Sequence, residues 1–443
     1  MLAEMIGLGT IGFLIMAIII FLLLKNVTIP SIAFIVVPVV FCFLAGFGVS
    51  DLSTFIKKGV AGVYQMAALF IFSIMFFGLM SDVGMFDRII NKLAKKAGGN
   101  VILVCLLTTT IAIIAHLDGS GASTFLITIP AMLPVFARLR MRKTSLMLIA
   151  TSAMGVMNLL PWGGPTMRAA SVINVDAAEL WHTFIPVQIF GLVLAYIVSY
   201  LVGLGEVRRG AGVDSTLPAD PDLEGVEAKP EGVVSELARP NLFWFNVALT
   251  LAVLAVLTFV KLPAYFPFMC GSAVALLVNY PGAKNQENRV RSHSKGAIMM
   301  ASTILAAGVL LGVLEQSGIM DDMARVLMSV IPESMGPHVA IIIGILSAPL
   351  ALVFCTDSYY FGVMPIVVSV ASKYGVNPRD VAITMIVCRN LACFISPVVP
   401  ATFLGTGLAR VDIKDHIKRS FFWVWGMSLA MLVFGIVIGI IKF

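Results

Sequence analysis

Two short polar islands interrupt an otherwise apolar chain. The first, LDGSGAST (117–124), has His116 just ahead of it and holds Asp118, Ser120, Ser123 and Thr124 among Gly119 and Gly121. The second, CTDSYY (355–360), holds Thr356, Asp357, Ser358 and Tyr359. A charged side chain at the centre of a bilayer costs at least about 2.5–3.5 kcal/mol on insertion scales. Two Asp at equivalent places are therefore read as ligands for a cation or a proton, with Asp118 and Asp357 as candidates for both. Each Asp also suits the N-cap of a returning helix, and capping and ligand binding can coexist. His116 can carry a proton or serve as a packing residue.

Two proline-rich breaks follow the islands. Asn158-Leu-Leu-Pro-Trp-Gly-Gly-Pro-Thr166 cannot continue as a regular helix past Pro161, Gly163 and Gly164, and Pro165 suits the start of a new one. Ser396-Pro397-Val-Val-Pro400-Ala-Thr402 does the same in the second half. Broken helices in membranes offer free carbonyls to cations, and helix N-termini to carboxylates. Two returning hairpin arms and two half-helices bring four N-termini near one midplane, which suits a polyanion. Arg389-Asn390 lies within an apolar span, where Arg389 can pair with Asp357 or face a substrate carboxylate. Arg168 follows the first break and is a second candidate anion ligand, or an Arg that snorkels outward.

The elements that position these residues follow from composition. Of 443 residues 59% are hydrophobic and only 12% charged, which excludes a soluble enzyme, a disordered chain and a disulfide-built domain. Stretches such as IGLGTIGFLIMAIIIFLLL lack period-2 alternation, so the spans are helices rather than barrel strands. We read an all-α polytopic membrane protein with full spans near 5–24, 30–49, 60–81, 144–172, 183–204, 242–260, 264–280, 297–315, 380–409 and 420–441. The first is read as a retained helix rather than a removed signal peptide. Stretches 101–137 and 338–372 have polar centres and arms of about 15–17 residues, short for a crossing, and are expected to be re-entrant hairpins. The amphipathic stretches 84–97 and 319–331 are expected at opposite membrane surfaces. The six cysteines form no metal-binding spacing.

The halves echo one another. LDGSGASTF (117–125) matches CTDSYYFGV (355–363), and LLPWGGPT (159–166) matches ISPVVPAT (395–402). Val175-Asp176 matches Val411-Asp412, and 81–96 matches 315–330. Five spans per half force the second half upside down, so we expect inverted repeats, a hallmark of secondary transporters. The first repeat is 1–204, with hairpin 101–137 and broken helix 144–172. The second is 241–443, with hairpin 338–372 and broken helix 380–409. The polar, Gly- and Pro-rich 205–240 joins them as a mobile linker. With both termini exterior, most Lys and Arg fall inside, including the Arg138–Lys143 and Arg410–Arg419 clusters, and the linker is cytoplasmic. The net charge of +6 is thus read as topology in the cell membrane, not as nucleic-acid binding. No nucleophile motif, HExxH or P-loop is present, so an enzyme or an ATP-driven pump is not supported.

At LDGSGASTFLITIPAMLP and GVMNLLPWGGPTMRAASVINVDAAEL the sequence resembles the citrate–metal:proton symporter family, CitMHS, of the ion-transporter superfamily. The resemblance implies uptake of citrate complexed with a divalent cation (Mg or Ca), driven by protons, with no permanently bound cofactor. It also implies a homodimer in the lipid bilayer, with scaffold and transport domains and an elevator movement. By position it assigns the tip motif to Asp118–Thr124, the first break to Asn158–Arg168, and the second-half site to Thr356–Tyr359 and Ser396–Thr402. The expected substrate contacts are Ser120, Gly121, Ser123, Thr124, Asn158, Gly163, Gly164, Thr166, Arg168, Ser358, Tyr359, Arg389, Asn390, Pro400 and Thr402. The expected metal contacts are Asp118, Asp357, Asn158 and Thr356. Many family members read LDGDG, whereas this chain has Ser120 in place of the second acid. The alternatives are a sodium- or proton-coupled di- or tricarboxylate transporter, or another ion transporter, of the same fold and, less well supported, a membrane-embedded enzyme.

Overall fold

Apolar runs bounded by glycine, proline and capping residues fold as helices throughout, and among the described residues there is no strand. The computed structural model describes residues 6–25, 27–95, 98–213, 215–218, 236–260, 262–330 and 335–442. The centre of the expected linker, 219–235, lies outside the described residues.

The first half comprises α1 (Leu8–Leu24), α2 (Pro30–Ala45), α3 (Val49–Asp82), α4 (Met85–Lys95), α5 (Val101–Ala115), α6 (Gly121–Arg138), α7 (Lys143–Met157), α8 (Gly164–Val172) and α9 (Ala177–Arg208). The second comprises α10 (Phe243–Phe259), α11 (Tyr265–Asn279), α12 (Ala283–Gln316), α13 (Ile319–Val330), α14 (Val339–Ala351), α15 (Met364–Lys373), α16 (Pro378–Asn390), α17 (Pro400–Ala409) and α18 (Ile413–Val437). Among the described residues seven helical segments are long and apolar enough to cross a membrane, and eight if α16 and α17, bent by 42° at their break, count as one. The chain is therefore a multi-pass membrane protein.

Several boundaries differ from the sequence reading. Helix α3 begins at Val49 rather than near 60, and α12 at Ala283 rather than near 297, so both run for 34 residues. Hydropathy reports transfer into lipid, not helix propensity. The polar start of α12 is a good helix former and carries a Glu287–Arg291 pair at i,i+4. Helix α9 continues to Arg208, past the expected end at 204. The hairpin arms 101–118 and 121–138 are each 18 residues, longer than expected and equal to a short crossing.

Helices α3 and α12 pack antiparallel. At their crossing a side chain on Gly308 would lie 2.9 Å from the Gly59 carbonyl oxygen, so only backbone fits there. At one end Lys58 Nζ donates to Gln316 Oε1 at 3.0 Å. At the other, Asp82 meets His293 Nε2 at 2.8 Å and Arg289 Nη1 at 3.5 Å. Helix α1 packs on α13, and α10 on α4.

The broken helices occupy the centre. Every residue from Ser145 to Met157 of α7 is buried, as is every residue from Val381 to Asn390 of α16. A helix covered on all sides belongs to the interior of a bundle. Helix α6 lies against α17, and α8 against α15, so each half's hairpin arm packs on the other half's broken helix.

Candidate functional site

The first tip is a tight polar turn. His116–Asp118 form one 3-10 turn, which closes at Gly119 with φ 69°, a conformation that suits glycine. Ser120, not Asp118, caps α6: its Oγ accepts from Ser123 N at 3.3 Å and from Ser123 Oγ at 3.1 Å. The residue that departs from the family's LDGDG pattern is thus the helix cap. Partly buried Asp118 Oδ1 accepts from the Ser120 N–H at 2.8 Å. Thr124 Oγ1 donates to Ser120 O at 2.7 Å and lies 2.7 Å from His116 Nδ1. His116 is fully buried, edge-on to Phe394 at 5.3 Å between centroids.

The second tip is built differently. Residues Ser358–Val363 form a wide π-helical turn that leads into α15. Such turns concentrate at functional sites. Asp357 caps nothing with its side chain; Arg168 Nε of α8 donates to its Oδ1 at 2.7 Å. This ion pair joins the halves with side-chain exposures of 6% for Arg168 and 17% for Asp357. Arg168 therefore does not snorkel, and Arg168 rather than Arg389 takes Asp357. Its neighbours include Phe70, whose ring centroid lies 5.9 Å away, and Met300 Sδ at 3.9 Å from Nη2. Ser358 is buried and donates through Oγ to Cys355 O at 3.2 Å. The Tyr359 hydroxyl is held by Ser347 Oγ at 2.6 Å, so it faces α14. Thr356 is partly buried.

The breaks meet one another and both tips. After α7, Gly163 and Gly164 start α8 with Pro165 in its first turn, and Thr166 Oγ1 donates back to Leu159 O at 3.1 Å. Trp162 Nε1 donates to Leu117 O in the first tip at 2.7 Å. Asn390 Nδ2 reaches the Asn158 carbonyl at 3.5 Å, linking the breaks. Phe394, in the 3-10 turn Cys393–Ile395, packs against His116 and Phe125 of the first hairpin. Ser396 Oγ donates to Ala351 O of the second hairpin at 2.5 Å. Helix α17 then starts at Pro400, with Thr402 buried two residues on.

Arg389 is fully buried. Its guanidinium sits 5.5 Å from the Tyr359 ring centroid and 5.8 Å from that of Tyr360, and Nη2 donates to Phe354 O at 3.3 Å. Among the described residues its Nε and Nη1 have no hydrogen-bond partner, and neither do Asn390 Oδ1, Thr402 Oγ1 or the Tyr360 hydroxyl. Unpaired buried donors are costly and rare, and two on one cation suit a carboxylate. No three His, Cys, Asp or Glu converge as a metal site among the described residues. The sequence reading placed Ser396 in the second break and missed Phe394, Met300 and Phe70. None carries a local signal, because each acts only through contacts with distant segments.

Comparison with known proteins completes the picture. Residues 1–388 match the family described as Citrate transporter, CitMHS. A Bacillus subtilis (strain 168) citrate transporter is 37% identical over 98% of this chain and 100% of its own length. A Mg(2+)/citrate complex secondary transporter of the same organism is 34% identical over 98% of this chain and 99% of its own. Two solved structures share the fold. The Alcanivorax borkumensis YdaH transporter has TM-score 0.59 at 15% identity, covering 88% of this chain and 89% of that one. Neisseria gonorrhoeae MtrF has TM-score 0.62 at 13% identity, covering 87% and 83%. A multi-pass helical chain with two polar tips and two broken helices packed together thus belongs to the citrate transporter family, CitMHS.

Proposed function

We propose that this protein is a secondary transporter that takes up citrate as a complex with a divalent cation, Mg or Ca, in symport with protons. The observation that carries this reading is the charge inventory of the site. Two buried arginines lie against the second tip, one on Asp357 and one over Tyr359 and Tyr360 with two unpaired donors, and no cluster of three metal-ligating side chains accompanies them among the described residues. Fully ionised citrate carries three negative charges, and a divalent cation leaves the complex with one. Hard cations prefer oxygen ligands, and citrate supplies most of these itself. The protein then adds a few oxygens, from Asp118, Asn158, Thr356 or Asp357, and holds the residual carboxylate charge with Arg389 and Arg168. The two Bacillus subtilis relatives named for citrate and for its Mg(2+) complex support this cargo.

The movement we propose is an elevator of two inverted repeats, 1–204 and 241–443, within a homodimer, with exterior termini and a cytoplasmic linker at 205–240. The equal lengths and antiparallel packing of α3 and α12 support the repeat, as does the cross-packing of hairpins and broken helices. His116, Asp118 and Asp357 are the candidates for proton coupling. Labelled-citrate uptake into proteoliposomes with Mg or Ca, against the same buffer with excess EDTA, tests the reading. Uptake should require the metal; full-rate uptake in EDTA would make free carboxylate the cargo.

A further inference from the structure

We propose that the Arg168–Asp357 pair exchanges partners with the cargo: a citrate carboxylate replaces Asp357 on the Arg168 guanidinium, and the released Asp357 carboxylate turns to the divalent cation of the same complex. The inference rests on the metal–citrate reading above and adds what couples the anion to the metal.

Four observations carry it. First, the pair is short, 2.7 Å, and nearly enclosed. A cation so placed needs a carboxylate partner, because an unpaired charge is costly at low exposure. Second, the two residues come from different elements, α8 after the first break and the tip of the second hairpin, 189 positions apart. Third, the pair is held by a single nitrogen. Only Nε donates to Asp357, while Nη2 reaches nothing better than Met300 Sδ at 3.9 Å. A bidentate cargo carboxylate can offer Arg168 a better fork than Asp357 does. Fourth, Asp357 accepts no backbone hydrogen bond that would fix it as a cap.

The consequence is selectivity. Citrate without metal displaces Asp357 from Arg168 but gives that carboxylate no cation in return, so its binding is opposed. Metal without citrate meets an Asp357 already neutralised by Arg168. Only the complex satisfies both groups at once.

The test measures citrate binding to the purified full-length protein by titration calorimetry, with MgCl2 or with EDTA. In Asp357→Asn the competitor for Arg168 is gone. Citrate in EDTA should then bind at least about tenfold tighter than to the parent, a change of about 1.4 kcal/mol. The Mg-dependence of binding should fall towards none. In the double variant Arg168→Gln, Asp357→Asn that gain should vanish, and in Asp357→Glu binding in EDTA should stay as weak as in the parent. If Asp357→Asn is not monodisperse, Asp357→Ala serves with the same expectation. Binding of citrate in EDTA no tighter to Asp357→Asn than to the parent would overturn the exchange. The metal–citrate reading fails separately, if the parent itself binds citrate equally with and without Mg.

Discussion

At Arg389 the demands of folding and of function pull apart. Replacing it with Met keeps an unbranched stem as far as the arginine Nε and removes the charged end. The variant loses the bond from Nη2 to Phe354 O, charge-assisted and worth about 1.5–3 kcal/mol. It also loses the placement over Tyr359 and Tyr360, worth about 0.5–2 kcal/mol for each ring. Against this, it removes two buried donors with no partner, each costing about 1–3 kcal/mol. It also removes the burial of a full charge, several kcal/mol more. The void left by the missing end of the side chain costs about 1–2 kcal/mol, and the sum is near zero or favours the variant. Scaling an unfolding entropy of about 2.1 cal/mol/K per residue to this chain gives about 0.9 kcal/mol/K, so 1 kcal/mol moves Tm by about 1 °C. Arg389→Met in detergent should therefore melt within about 2 °C of the parent or above it, while uptake is lost. Mg with citrate at about 100 times Kd adds about 2.7 kcal/mol to a protein that binds it, hence about 3 °C. The parent should show that shift and the variant none. Arg168→Met is the contrast, because it strands Asp357 at 17% exposure. Breaking a buried pair costs about 3–5 kcal/mol, here reduced to about 2–3 by the solvent that reaches Asp357, so Tm should fall by about 2–3 °C. An Arg389→Met protein that melts far below the parent, or that still transports citrate, would refute this reasoning.

Further expectations follow from other parts of the fold. Gly308→Ala pushes a methyl to 2.7 Å from Val63 Cγ2 and 2.9 Å from the Gly59 carbonyl, where backbone cannot yield, and should cost about 1–3 kcal/mol in denaturant unfolding; Gly407→Ala, with nothing within 4 Å, should cost nothing and stabilise α17 by up to about 1 kcal/mol. For topology, in a Cys270→Ala background, Leu262→Cys should label from outside whole cells and Ser215→Cys should not. The reverse pattern would overturn the orientation and the inverted repeats together.

Much of the site is legible in the sequence because its chemistry is local. Glycine beside Ser and Asp inside an apolar run marks a tip, and Pro161–Pro165 and Pro397–Pro400 mark breaks, whatever surrounds them. Asp118, Ser120 and Asn158 lie where those signals point, and Asp357 and Arg389 stand out as charges inside apolar runs. What the sequence does not carry is partnership. That Asp357 belongs to Arg168, that Ser120 rather than Asp118 caps α6, and that Phe394 seats His116 are facts of tertiary packing. Hydropathy also misjudges helix ends. Helix α12 runs four turns into charged sequence because Lys, Asn, Gln and Glu are accepted on a helix that water or headgroups surround. Buried Glu206 is the converse. It looks like one more linker charge, yet it accepts from Ser145 Oγ at 2.7 Å and from Arg209 Nη2 at 2.8 Å, closing the C-terminal end of α9.

The central claim is that metal and citrate travel as one cargo. Proteoliposomes loaded with neither, and supplied with calcium-45 and carbon-14 citrate together, test it most directly. The account predicts that both labels accumulate in equal amounts, that EDTA abolishes both, and that Arg389→Met abolishes both. Citrate accumulating at full rate without the metal label would contradict it.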